Sequence, residues 1–216
     1  MADIVDPAVA DYVLAHATPA DDLLRELAAE TSTTYPPDAG MQISADEGAL
    51  LTMLTRLTGV LLAVEIGTFT GYSSICIARG LRPGGRLIAC DVSEEWTSIA
   101  RAYWAKAGLA DRIELRLGPA IETVRALPAD PVIDFVFLDA DKTGYPAYYD
   151  EIVPRLRPGG LLVIDNVLRG GQVLDPRDAS SVAVAGLNDR IVGDERVESV
   201  MLPVRDGVTL VRRRSS

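Results

Sequence analysis

The sequence predicts an α/β protein built on a doubly wound, largely parallel sheet, and three observations carry that prediction. Val60-Leu61-Leu62-Ala63-Val64-Glu65-Ile66 is a short, nearly all-apolar run that breaks at Gly67 and reopens after Gly71 on Ser73, Ser74, Ile75, Ile77 and Ala78. Such a run reads as buried strand, tight loop and helix, the first turn of a βαβ unit. The pattern then recurs: Arg86 to Asp91, Arg112 to Leu117, Ile133 to Leu138 and Leu161 to Ile164 are strand-like and alternate with helical stretches. Lastly, Arg205-Asp206-Gly207 joins the apolar runs Val197 to Pro203 and Val208 to Arg213. Asp-Gly between such runs is a hairpin signal, so the sheet should end in an antiparallel pair.

The length of 216 residues suits one domain, 1–216, with residues 1–40 as a helical cap and 41–216 as the α/β core. A net charge of −10 disfavours nucleic acid and anionic membranes as partners. The acidic start, Met1 to Pro7, lacks a basic region followed by an apolar core, and no uncharged run is long enough to span a bilayer, so a cytoplasmic protein is expected. Cys76 and Cys90 have neither metal-ligand nor disulfide spacing and read as core; His16, the one histidine, stands far from every other polar cluster.

Taken in order, residues 6–34 read as two helices broken at Thr18-Pro19, with threonine as cap and proline in the first helical position. Tyr35 to Gly40 is a turn-rich hinge. Ser44 with Glu47 has the spacing of a capping box and starts a helix to about Thr58, flanked by Met41 and Ile43 as an apolar wall. Ser93 to Ala107 is a helix, and Gly118-Pro119-Ala120 ends the third strand. Pro158-Gly159-Gly160 is a turn before the fifth strand, a further helix runs from Pro176 to about Gly193, and Arg212 to Arg214 read as a solvated tail.

Ligands of open α/β sheets lie beyond the carboxyl ends of the strands, near helix N-termini. Gly67 to Ser73 should therefore touch a ligand. A dinucleotide fingerprint needs a glycine where this chain has Phe69, and a phosphate-cradling loop needs Lys where it has Tyr72. Glu65, inside the strand, repels an anion and attracts a cation. A sulfonium nucleoside, S-adenosylmethionine, suits such a loop. Asp91, about 20 residues on at the end of the next strand, stands where an acid accepts ribose hydroxyls, and the small Ala120 stands where an adenine edge would rest.

Asp139 and the pair Asp165-Asn166 fall at the carboxyl ends of consecutive parallel strands, which should lie roughly 5 Å apart. Two carboxylates and an amide carbonyl suit a hard divalent cation such as Mg2+, with positions left open for water and substrate.

Met41 to Gly48, Glu65 to Ser73, Phe137 to Lys142, Asp165 to Val167 and Leu202 to Gly207 together resemble the cation-dependent O-methyltransferases of the catechol and caffeoyl-CoA type, in order and spacing over residues 20–213. The resemblance implies a Rossmann-like, doubly wound seven-stranded sheet in the order 3-2-1-4-5-7-6 with strand 7 antiparallel. It implies that Met41, Ile43, Glu65, Gly67, Thr68, Ser73, Asp91, Ala120, Asp139 and Asp141 contact S-adenosylmethionine. Asp139, Asp165 and Asn166 would hold Mg2+, or Mn2+ or Ca2+ in its place, and Lys142, with Asp139, would act at the acceptor hydroxyl. The substrate would be a small vicinal-diol aromatic and the protein a homodimer. The family commonly has an aromatic residue where this chain has Arg169, beside the acceptor pocket. Two other functions fit the same residues: methylation of a hydroxylated tRNA base, which the acidic balance opposes, and S-adenosylmethionine binding without turnover.

Overall fold

The computed structural model describes residues 5–130 and 132–215. The first four residues, part of the acidic amino terminus read above, lie outside them. Seven strands form one sheet in the order β3-β2-β1-β4-β5-β7-β6. They are β1 (Leu62–Ile66), β2 (Arg86–Asp91), β3 (Ile113–Leu117), β4 (Ile133–Leu138), β5 (Leu156–Asp165), β6 (Val197–Leu202) and β7 (Val208–Arg213). β1, β2 and β3 pair in parallel, as do β4 and β5, while β7 runs antiparallel to both β5 and β6. The expected fold and strand order are therefore present.

The chain divides into two compact units. The first, Asp11–Ala120, holds α2 (Asp22–Thr34), α3 (Ala45–Thr58), α4 (Tyr72–Gly80), α5 (Glu94–Lys106) and strands β1 to β3. β1 reads as an unbroken apolar run because it is covered on both faces: Ala63, Val64 and Ile66 are all at most 1% exposed. α4 packs against α3 across Gly48, where an added Cβ would lie 2.9 Å from both Cys76 Sγ and the Tyr72 ring. Cys76 and Cys90 are buried, as core residues, and neither is in a disulfide.

The second unit, Ile121–Ser216 with the segment ahead of Asp11, holds strands β4 to β7, α7 (Tyr145–Arg155) and α8 (Ala179–Val192). All six residues of β4 are buried. The helix α6 (Ala120–Ala126), which begins at the boundary between the units, is not among the predicted elements.

Several predicted boundaries move, each for a local reason. The helix expected at Thr18-Pro19 begins at Asp22, because the Asp21 carboxylate accepts from Leu24 N and caps it; α1 (Pro7–Ala15) ends well before. α3 does start after Ser44, but the Ser44 side chain makes no cap bond, so the predicted capping box is not formed. α8 starts at Ala179, not Pro176, since Asp178 and Ser181 form a reciprocal capping box there. Pro158-Gly159-Gly160 lies inside β5 as a register irregularity against β4. Gly160 is needed there because a Cβ would sit 2.9 Å from the carbonyls of Arg157 and Ile133. The arginines at the carboxyl end are not a free tail: Arg213 reaches the carbonyls of Pro154 and Leu156, Arg214 that of Val197, and Arg212 pairs with Glu198.

The turn that ends β1 depends on Gly71, which has φ +88 and would press a Cβ to 2.7 Å from Ala100 Cβ and 2.9 Å from Trp104 Nε1. Gly71→Ala is expected to destabilise the protein by about 1–3 kcal/mol, from left-handed strain and overpacking, as read by denaturant titration.

Candidate active site

In the first unit the chain leaves β1 at Gly67 (φ 93), passes Phe69 in a left-handed conformation (φ 51) and enters α4 through Gly71. A non-glycine residue at positive φ is costly and persists only where its surroundings determine it. Here the determinant is Asp91. Its Oδ2 accepts from the backbone N–H groups of Thr68 at 2.9 Å and Phe69 at 2.8 Å, while Oδ1 accepts from Ser93 N at 2.9 Å. The acid expected to meet a ribose thus first holds the glycine turn in shape. An ionised carboxylate has about four acceptor sites, so the three loop bonds leave room for a hydroxyl. The Phe69 ring is itself fixed edge-on against Trp96, with centroids 5.2 Å apart.

Glu65 is wholly buried beneath this turn. Its Oε2 accepts from the hydroxyls of Ser74 and Thr68, and Oε1 has no hydrogen-bond partner. Burial pushes the carboxyl up to about 7, against the pull of the Ser74, Ser73 and Thr68 hydroxyls, and the charge of Asp91 adds to the rise. Thr68 and Ser73 are buried beside it, Ile43 is buried and Ala120 is 6% exposed at the start of α6, whereas Met41 is 42% exposed.

In the second unit β4 and β5 pair with Leu138 opposite Ile164, so Asp139 and Asp165 follow as neighbours at the strand tips. The predicted juxtaposition is therefore present. Asp165 is 2% exposed and Asn166 9%. Asn166 takes a left-handed conformation (φ 55) and donates its backbone N–H back to Asp165 Oδ1 at 2.6 Å. Burial first, and then the charge of Asp139, raise the Asp165 carboxyl well above its ordinary range, with Lys142 opposing. Lys142 Nζ lies 2.7 Å from Asp139 Oδ1, and both side chains are largely covered.

Sequence reasoning did not identify Tyr145 as part of this cluster. Its buried hydroxyl meets Lys142 Nζ at 2.7 Å, the carbonyl of Asp165 at 3.0 Å and that of Leu138 at 3.3 Å. The signal was present in its spacing from Lys142, since residues three apart in a 3-10 turn eclipse one another and Lys142–Gly144 is such a turn. Asp141 points to a different partner, Tyr148, whose hydroxyl donates to Oδ1 at 3.2 Å.

The loop after β5 is pinned by the β6–β7 connection. Val167 N donates to Gly207 O, Leu168 N to Asp206 O, and Gly170 N to Asp206 Oδ1. Arg169, in a left-handed conformation (φ 50), has a buried Nε without a hydrogen-bond partner. Its charge reaches Tyr145. Among the described residues no helix is long and apolar enough to cross a membrane.

This strand order, with a glycine turn after β1 and acids at the strand tips, defines the fold of the S-adenosylmethionine-dependent methyltransferases. The chain belongs to the O-methyltransferase family, whose model matches residues 15–214. It is 37% identical over 211 residues to a probable caffeoyl-CoA O-methyltransferase of Dictyostelium discoideum, covering 95% of this chain and 91% of the relative. It also resembles the O-methyltransferase from Bacillus cereus solved in complex with SAH, with a TM-score of 0.87 and 32% identity, covering 96% and 97% of the two chains. The O-methyltransferase TomG from Streptomyces achromogenes, solved in complex with SAM, gives a TM-score of 0.86 at 33% identity, covering 96% of each chain.

The buried Glu65 makes a signed prediction. Its raised affinity for a proton means that the folded state holds more protons than the unfolded one between pH about 4.5 and 7, so stability falls as pH rises through that window. Glu65→Gln should remove a loss on the order of 3 kcal/mol, flattening the pH dependence measured by urea denaturation.

Proposed function

We propose that this chain transfers the methyl group of S-adenosylmethionine to a hydroxyl of a small vicinal-diol aromatic, with a divalent cation held by Asp139, Asp165 and Asn166. The observation that carries the cation assignment is the acid pair itself: Asp139 and Asp165 follow neighbouring strand ends, and Asp165 is 2% exposed. Two such carboxylates with an amide neighbour form an all-oxygen donor set that matches Mg2+ or a similar hard cation, with Mn2+ or Ca2+ as substitutes. When bound, the cation would lower the pKa of a phenolic hydroxyl from near 10, making it a better nucleophile.

The remaining work falls to the chain. The turn Gly67 to Gly71 and the N-terminus of α4 would bind the cofactor, with Asp91 offering its remaining acceptor capacity to the ribose and Glu65 beneath a positively charged ligand. Met41, Ile43, Thr68, Ser73, Ala120, Asp139 and Asp141 complete the proposed cofactor contacts. Lys142 acts on the acceptor. Lys142, paired with Asp139, would receive the phenolic proton. The acceptor oxygen then forms a bond to the methyl carbon as the carbon–sulfur bond breaks, and the electron pair leaves with the neutral thioether. Arg169 adds a cation beside this cluster, so the acceptors tested should include carboxylated as well as neutral catechols.

Labelled methyl transfer over that panel is the direct test. Asp165→Ala and Asn166→Ala should each abolish cation-stimulated transfer while leaving cofactor binding by calorimetry intact. Activity unchanged by a chelator would defeat the cation assignment.

A homodimer is proposed on a separate observation. α1 presents Val9, Tyr12 and Val13, each at least 48% exposed, along one helical face. Sedimentation equilibrium should give twice 23.1 kDa, falling to the single value in Val13→Asp.

A further inference from the structure

Lysine is a flexible four-carbon stem ending in three rotatable donors, and using it as a base at one oxygen requires that something fix where Nζ sits. In the second unit two groups do so. Asp139 Oδ1 and the Tyr145 hydroxyl each lie 2.7 Å from Nζ, which leaves a third direction for another partner. Tyr145 is in turn fixed. Its side chain is 0% exposed, it opens α7, and its hydroxyl reaches two backbone carbonyls, Asp165 O and Leu138 O, at the tips of β5 and β4. A phenol has one proton, so it donates to one of these carbonyls at a time and accepts from Lys142. Nζ also stands 4.9 Å from the Tyr145 ring centroid, within cation–π reach.

We propose that Tyr145 is a positioning residue for methyl transfer: its hydroxyl, anchored on the strand-tip carbonyls of Asp165 and Leu138, holds the Lys142 amine at the acceptor oxygen. The inference rests on the function proposed above and goes beyond it, because it places the accuracy of the base in a residue outside every motif of the sequence. Anchoring on main-chain carbonyls matters. A side-chain partner could turn away with its rotamer, whereas β4 and β5 are paired along their length and their carbonyls move only with the sheet.

The test compares Tyr145→Phe, Lys142→Met and the double variant with the wild-type protein, using a catechol that the wild type methylates. Tyr145→Phe keeps the buried ring, so the fold should be retained. Turnover should fall about 10- to 100-fold, while KM for the acceptor and the affinity for S-adenosylhomocysteine stay within about twofold. In the Lys142→Met background the same change should cost nothing further, because a residue acting through Lys142 has nothing left to position. Tyr149→Phe is the matched control. It removes another buried hydroxyl from α7, one bonded to Asp194 at 2.9 Å, and should lower the melting temperature without lowering turnover. The proposal is overturned if Tyr145→Phe behaves like Tyr149→Phe, which would make the hydroxyl a structural tie. It is also overturned if the two losses multiply in the double variant, which would mean that Tyr145 acts independently of Lys142. A wild-type protein that methylates no catechol would overturn the underlying function instead, and the Tyr145 role with it, a result unlike equal turnover by wild type and variant.

Discussion

Carboxylates taken out of water at the tips of parallel strands are the constraint that the rest of this structure answers. An ionised acid in such a place must be met by donors or by positive charge, or it reclaims its proton. Three buried examples are met to different degrees. Asp91 is met by three backbone N–H groups, and in being met it shapes the glycine turn. Glu65 has hydroxyl donors on one oxygen and none on the other. Asp165 has the N–H of its own neighbour, with a second acid close by. The better an acid is answered by the protein, the more of its role is structural; the less it is answered, the more it invites a ligand.

That gradient explains which parts of the molecule could be read from residue order. The strands were legible because buried parallel strands are continuous apolar runs closed by glycine, proline or an acid, and β4 begins and ends where its run does. Helix starts were less so. Thr18, Asp21 and Ser44 are all residues that cap, and only three-dimensional surroundings decide that Asp21 does and Ser44 does not. The carboxyl-terminal arginines looked solvated because polarity alone cannot show that backbone carbonyls lie within their reach.

The site divides along the same line. Asp139, Asp165 and Asn166 were read as a cation set from residue type at neighbouring strand ends, whereas Lys142 came from the family resemblance alone; the structure sets Lys142 against Asp139. Asp91 was read as a ribose acid, while the loop N–H groups it accepts from leave no mark on the sequence. Tyr145 was missed altogether. An aromatic residue at the start of an amphipathic helix reads as core, which it is; that its hydroxyl also touches Lys142 follows from the 3-10 turn between them, a conformation that residue identity does not announce.

Charge balance is what makes the second cluster more than a pair of helix caps. Asp139 and Asp165 together bring two negative charges to adjacent strand tips, and Lys142 returns one positive charge, placed on Asp139. Burial and the charge of Asp139 still leave the Asp165 carboxyl with an increased hold on a proton, although Lys142 and Arg205 both oppose it. A structural ion pair would be tuned to neutrality, because an uncompensated buried charge costs several kcal/mol. Under the proposed function the two carboxylates would serve the cation, and Lys142 would satisfy Asp139 only in its absence. On this reading the cation and the base are linked through a single carboxylate, and Tyr145 keeps the amine in place while its ion pair is broken.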